Sequence, residues 1–167
     1  AWGNPYVATL LGIKQVYPGR YVPSEILALR QREGVTYSHC VPTILQMLLS
    51  EAVANGGDLR GWKICIGGSA LSAGLAREAL DRGVDIYAGY GMSETGPALT
   101  VSCLTSPPGS LPVEAEVERR CRTGAPIPLV DLRIVDEKGL PLPHDDHATG
   151  EIVVRAPWLT QCYVGNE

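Results

Sequence analysis

Over its first hundred residues the chain switches repeatedly between two spacings of apolar side chains, and this alternation restricts the fold more than any other feature. Short apolar runs at Ile13 to Tyr17, Val35 to Val41, Lys63 to Gly67 and Val84 to Ala88 have the length of strands. Between them lie segments with helical periodicity. Ser24 reads as an N-cap for a helix over Glu25 to Glu33 with Ile26 and Leu29 on one face and Gly34 as its stop. Pro42 suits a first helical turn, after which Ile44, Leu45, Leu48, Leu49, Ala52 and Val53 follow an i, i+3, i+4 rule up to Gly56-Gly57. Ser72 caps a third helix, with Leu75, Ala76, Ala79 and Leu80 inward and Gly83 closing it. Strands joined by single helices imply crossover connections and a parallel sheet, so the fold class is α/β.

Beyond Cys103 the character changes. Thr105 to Pro112 is turn-rich, and Asp131 to Val135 and Glu151 to Arg155 alternate apolar and polar residues as antiparallel strands with one wet face do. The resulting division is an α/β portion over 1–104, a connector over 105–120, and the start of a smaller antiparallel β-rich portion over 121–167. With 45% hydrophobic and 19% charged residues in 167, a packed core is expected. A net charge of −4 without a basic run excludes nucleic acid as a partner. No apolar stretch approaches the ~20 residues that span a bilayer, and there is no signal peptide. Five cysteines with no C-x-x-C pair argue against a disulfide framework and suit a reducing cytoplasm, with Cys40 and Cys65 as small core residues. The chain opens without Met and enters apolar sequence at once, which reads as an internal piece of a longer protein.

Chemistry concentrates in Asp85 to Pro97 (DIYAGYGMSETGP), where a buried strand runs into a glycine-rich turn. Ligands of parallel α/β sheets bind outside the carboxyl ends of strands. Gly89 and Gly91 flank Tyr90, so backbone can approach a ligand while an aromatic face stays free for stacking. Ser93 offers a hydroxyl and Glu94 the loop's only carboxylate, a combination suited to a phosphate and its Mg²⁺. The same spacing also fits an ordinary strand-to-helix turn with Ser93 as N-cap. Gly67-Gly68-Ser69-Ala70 ends the preceding strand, either as bare backbone for a flat ligand or as a plain turn. A dinucleotide fingerprint fails because Glu94 stands where the third glycine belongs; nucleophile-elbow and phosphate-loop patterns are absent. His144-Asp145-Asp146-His147 reads as a solvated turn in a Pro-rich loop rather than a metal cluster, and His39 as a hydrogen-bonded core histidine rather than a pocket wall.

Tyr90-Gly91-Met92-Ser93-Glu94 resembles the Y-G-x-S/T-E motif of the adenylate-forming superfamily, whose members include acyl-CoA synthetases, luciferases and peptide-synthetase adenylation domains. Three further segments resemble that family in its order: Gly67 to Leu71 its adenine loop, Thr123 to Asp136 its G-x-P-x-P segment, and Thr149-Gly150-Glu151-Ile152 with Tyr163 its G-E-I/L…G-Y motif. The opening Ala1-Trp2-Gly3-Asn4-Pro5 is most similar to bacterial medium- and long-chain fatty-acyl-CoA ligases.

The resemblance implies two steps. A carboxylate attacks the α-phosphate of ATP to give an acyl-adenylate and pyrophosphate, and the CoA thiol then displaces AMP. It places Tyr90 on adenine, with Gly67, Gly68 and Ser69 as the opposite wall and Gly89 at the ring edge. Gly91 and Met92 complete the nucleotide-binding set. Ser93 reaches the α-phosphate, Glu94 holds Mg²⁺, and Trp2 and Asn4 border the acyl pocket. Four departures occur: Ser93 for the commoner Thr, Ser69-Ala70 for Ala-Pro, Leu129 for Gly, and Cys162 for the Gly before Tyr163. None removes a group the reaction needs. A phosphate loop and a histidine upstream, and a ribose-binding Asp and a mobile domain downstream, belong to the family but not to these residues, so the piece alone is expected to lack ligase turnover. The alternatives are activation of an aryl or other acid for a carrier protein, and a non-catalytic module with a relict nucleotide site. No acidic residue stands between Ala1 and Asn4 to hold an ammonium, which favours an uncharged acid.

Overall fold

The computed structural model describes residues 3–102 and 109–166. Two helices come first, α1 (Gly3–Leu10) and α2 (Pro23–Glu33), then β1 (Tyr37–Cys40), α3 (Pro42–Asn55), β2 (Lys63–Ile66), α4 (Ala73–Asp81) and β3 (Asp85–Tyr90). A 3-10 turn over Ser93–Thr95 leads to β4 (Thr100–Val101), α5 (Val113–Cys121), β5 (Ala125–Pro126), β6 (Asp131–Val135) and β7 (Glu151–Arg155). β1, β2 and β3 lie side by side and parallel, in the register Cys40↔Ile66↔Ala88. β4 and β5 extend the same sheet antiparallel, giving the order β1-β2-β3-β4-β5, while β6 and β7 form a separate antiparallel pair. The α/β class, with a parallel portion followed by a smaller antiparallel one, is therefore what the chain adopts.

The core joins sheet to helices. Ile64, Ile66 and Ile86 from the strands meet Leu45, Leu48, Leu49 and Ala52 of α3, Leu75, Ala76 and Ala79 of α4, and Val117 of α5. Leu49, Ile66 and Ile86 are fully enclosed, and truncating any of them to alanine costs about 2–5 kcal/mol. The ends of the helices follow local chemistry. Gly34 and Gly56 close α2 and α3 in the left-handed conformation, and the Ser72 hydroxyl accepts the Leu75 N–H at the start of α4.

Several expectations are corrected. Ile13 to Tyr17 forms no strand; it joins no sheet among the described residues, and Ile13 and Tyr17 are exposed. The N-cap of α2 is Val22 rather than Ser24, because Pro23, with φ already fixed near helical values, takes the first helical position. α1 was not foreseen, since its apolar Tyr6, Val7 and Leu10 face outward and leave no buried stripe. The stretch read as connector contains α5, whose inward apolar face is little more than Val117; what it carries instead is acid in its first turn and base in its last.

An enclosed charge group docks α5 on the sheet. Arg120, wholly buried, donates to Glu116 Oε1 from Nε at 3.0 Å and from Nη2 at 2.8 Å, to Asp85 Oδ1 at 2.7 Å, and to the Ile86 carbonyl. Glu116 Oε2 in turn accepts the Gly109 N–H. The start of β3 is thereby fixed to α5, and the far end of β3 carries the glycine-rich loop.

Candidate nucleotide site

Because β2 and β3 are neighbours in parallel register, their carboxyl ends release the chain at adjacent points, so the Gly67-Gly68 and Gly89-to-Gly91 turns stand together on one edge of the sheet. Gly68 has φ of 82°, a conformation that side chains rarely adopt, and a Cβ on Gly67 would come within 2.9 Å of His39 Nε2. Gly89 pairs with Val101, and Tyr90 with Thr100. Gly91 allows no side chain at all: its Cβ would sit 1.7 Å from the Pro97 carbonyl oxygen. Gly67, Gly68, Gly89, Tyr90 and Gly91 are thus brought to a single edge, and Ser69 is exposed just beyond it.

From Gly91 the chain does not enter a helix, so the strand-to-helix reading with Ser93 as N-cap gives way. Met92 is the N-cap of the short 3-10 turn, and the chain returns through a cis Gly96–Pro97 peptide to pair as β4. Thr95, buried, ties this excursion together. Its hydroxyl accepts the Met92 N–H at 2.9 Å and lies 3.0 Å from the carbonyl oxygens of Met92 and Pro97. With Thr95 inside, Met92 and Ser93 are left exposed and Glu94 half-exposed. Gly3, at the start of α1, packs on Pro97, and this brings the exposed Asn4 to the loop's flank; Trp2 lies outside the described residues.

The Glu94 carboxylate is held from the far end of the chain. The Tyr163 hydroxyl donates to its Oε1 at 2.6 Å, the Thr160 N–H donates to its backbone carbonyl at 3.2 Å, and Trp158 Nε1–H donates to the Thr95 carbonyl at 2.9 Å. The phenol's hydrogen bond holds the Glu94 carboxyl below its ordinary range and raises the Tyr163 hydroxyl above its own. Sequence reasoning gave Trp158 and Thr95 no part here and left Tyr163 without a role, although the G-Y likeness had singled it out. Among the described residues no group of three His, Cys, Asp or Glu could hold a metal ion. The donor set here is one carboxylate, that of Glu94, and one hydroxyl, that of Ser93, on a short exposed turn. It fits Mg²⁺, which binds one or two carboxylates and completes its octahedron with phosphate oxygens and water.

His39 departs from expectation. It is half-buried, its Nδ1 is enclosed without a hydrogen-bond partner among the described residues, and burial lowers its pKa. It is a wall beside Gly67 rather than a hydrogen-bonded core histidine. Cys40 and Cys65 do pack in or against the core, and burial pushes the Cys40 thiol up to about 12. The four residues His144 to His147 are exposed, with Asp145 Oδ1 accepting the His147 and Ala148 N–H groups. A surface concavity between α5 and Thr123 to Ala125 is lined by none of the predicted site residues.

The family described as AMP-binding enzyme matches residues 1–164. The chain belongs to this AMP-binding family. It is 40% identical over its whole length to a long-chain-fatty-acid–CoA ligase of Thermus thermophilus, where the match covers 31% of the relative. It is 39% identical over 98% of its length to a 3-methylmercaptopropionyl-CoA ligase of Ruegeria pomeroyi, again covering 31% of that protein. The chain thus spans about a third of the curated AMP-binding relatives it matches. Among solved structures it superposes on a long-chain-fatty-acid-CoA ligase of Archaeoglobus fulgidus with a TM-score of 0.76 at 19% identity, over 95% of this chain and 32% of the other. An o-succinylbenzoate CoA synthetase of Bacillus subtilis, in complex with its acyl-adenylate intermediate, gives 0.75 at 24% over 97% and 31%. These two likenesses speak to fold.

Proposed function

We propose that this chain is the central part of the N-terminal domain of an ATP-dependent acyl-CoA synthetase, an acid–thiol ligase acting in the cytoplasm on a fatty acid. The observation that carries the reading is the pairing of two glycine turns on adjacent parallel strands, the second followed at once by Ser93 and Glu94. Two such turns leave a slot of bare backbone, suited to a flat purine, with the Tyr90 ring at its edge to stack on it. The Ser93 hydroxyl then donates to the α-phosphate, and Glu94 with the ion's phosphate and water ligands would hold Mg²⁺. When bound, Mg²⁺ offsets the charge that builds up as the phosphoryl centre is attacked. The protein's own part is to fix the nucleotide, keep Ser93 and Glu94 on the phosphate side, and present the acid from the Asn4 flank and Trp2. The choice of a fatty acid rests on the Thermus thermophilus relative, with CoA as acceptor.

Acyl-adenylate formation tests this in the full-length protein, by fatty-acid-dependent exchange of pyrophosphate into ATP. Glu94→Gln is expected to slow exchange by about 10²-fold, the scale of losing one preorganised electrostatic contact. Exchange indifferent to the substitution refutes the assignment of Glu94, and a full-length protein that binds ATP without any exchange favours a relict site. The 167-residue piece alone is expected to show no exchange, and clear exchange would overturn that part of the reading.

A further inference from the structure

Residues 158–163 reach back 63 to 69 positions to the 93–95 turn, and each contact serves a different atom of it. Trp158 takes the Thr95 carbonyl, and its indole edge lies where a Cβ on Gly96 would be 3.1 Å away. Thr160 takes the Glu94 carbonyl. Among the described residues Tyr163 is the one side chain that hydrogen-bonds the carboxylate, and it reaches one oxygen only. Glu94 has no salt-bridge partner among the described residues. A half-exposed glutamate on a three-residue turn has three side-chain torsions to fix, and its own element offers the carboxylate only a hydrogen bond from the Glu94 backbone, weaker in its effect than that of Tyr163.

We propose that Tyr163 is a positioning residue for the Glu94 carboxylate: its hydroxyl occupies Oε1 and sets the side chain so that Oε2 faces a divalent cation carried by the nucleotide, while Trp158 and Thr160 hold the turn at the distance that hydroxyl requires. This rests on the reading of Glu94 as the metal-holding carboxylate. The cation has one ordered oxygen to meet instead of a rotating carboxyl group. Hydrogen-bond partners of ligating carboxylates carry affinity in this way, and losing one typically costs 10–100-fold in metal binding. Adenine binding is independent of Tyr163, because the purine slot belongs to Gly67, Gly68 and Tyr90.

The test uses the full-length protein with Mn²⁺ as a spectroscopic substitute for Mg²⁺. Mn²⁺ is titrated by electron paramagnetic resonance in the presence of a non-hydrolysable ATP analogue, and AMP binding is measured separately without metal. Tyr163→Phe keeps the ring and removes only the hydroxyl. It is expected to weaken Mn²⁺ binding by about 10-fold, the lower end of that range for a half-exposed site, and to leave AMP affinity and melting temperature unchanged. Glu94→Gln is expected to weaken Mn²⁺ binding further, and adding Tyr163→Phe to it should cost nothing more. If Glu94→Gln weakens binding while Tyr163→Phe does not, the positioning role fails and the metal assignment stands. If neither substitution matters, the metal assignment itself fails. If Tyr163→Phe lowers AMP affinity as much as metal affinity, the residue merely supports the loop and the proposal is overturned.

Discussion

Replacing Arg120 by methionine tests how this fold is held behind its site. The guanidinium is wholly buried and satisfies three partners at once: Glu116, itself nearly enclosed at 7% side-chain exposure, Asp85 at 23%, and the Ile86 carbonyl. Methionine fills much of the same volume but neutralises nothing. Asp85 keeps access to water and a distant Lys63 at 3.8 Å, so it recovers solvation cheaply. Glu116 cannot: among the described residues it retains the Gly109 N–H alone and is left as a buried, uncompensated carboxylate. Breaking a buried pair from one side costs about 3–5 kcal/mol. The favourable interaction of a cation with the C-terminal end of α5, about 0.3–1 kcal/mol, is too small to account for such a loss. For a chain of this length the expected fall in melting temperature is about 6–20 °C. The assay is urea unfolding followed by tryptophan fluorescence, with Arg120→Met compared against the double variant Arg120→Met/Glu116→Leu. Removing both charges should restore stability to within about 1–2 kcal/mol of the parent, because a packed apolar replacement of an ion pair is often neutral. A single variant costing under about 1 kcal/mol would refute the reasoning. A double variant no better than the single one would assign the loss to packing and not to charge.

Three further outcomes are expected. Gly91→Ala should abolish AMP binding, since its Cβ meets backbone at 1.7 Å, whereas Gly67→Ala should weaken it less, because the His39 ring in its way can rotate; calorimetric titration of both in the full-length protein checks the order, and equal effects contradict it. Iodoacetamide at pH 8 should modify the exposed Cys162 well before Cys40, whose thiol near 12 is about one part in ten thousand thiolate there, and peptide mass mapping that found equal rates would deny the burial. Burial depresses the His39 imidazole below 6.5, so the unfolded chain takes up that proton first. Its contribution to stability is complete above about pH 6.5 and declines as pH falls through that value toward the lower folded pKa. His39→Gln should remove that part of the acid sensitivity from urea midpoints between pH 7 and 5, and parallel profiles for the two proteins would count against it.

The sequence was most legible where local and tertiary demands coincide. The apolar stripe from Leu45 to Ala52 is bounded by Pro42 and Gly56, so periodicity and punctuation agree and the helix lies where expected. The same holds for β2, where Ile64, Cys65 and Ile66 are buried behind an exposed Lys63. Legibility failed where one demand was silent. α1 turns its apolar residues outward, so no buried face marks it. β4 and β5 are two residues each, and they are strands by pairing, β4 on β3 and β5 on β4, and not by their own propensity. At the site, the glycines, Tyr90, Ser93 and Glu94 could be picked out because they are contiguous. Tyr163 and Trp158 act on that turn from more than sixty residues away, and no local pattern records a contact of that kind.

The hold of 158–163 on the 93–95 turn also bears on protein engineering. Grafting the Tyr90-to-Thr95 stretch from one relative into another moves only half of a matched set, since the indole, amide and phenol that receive it stay with the host. A chimera should therefore inherit the donor's metal response only when both cassettes travel together, and crossover points placed between Pro126 and Arg155 separate what the fold keeps joined.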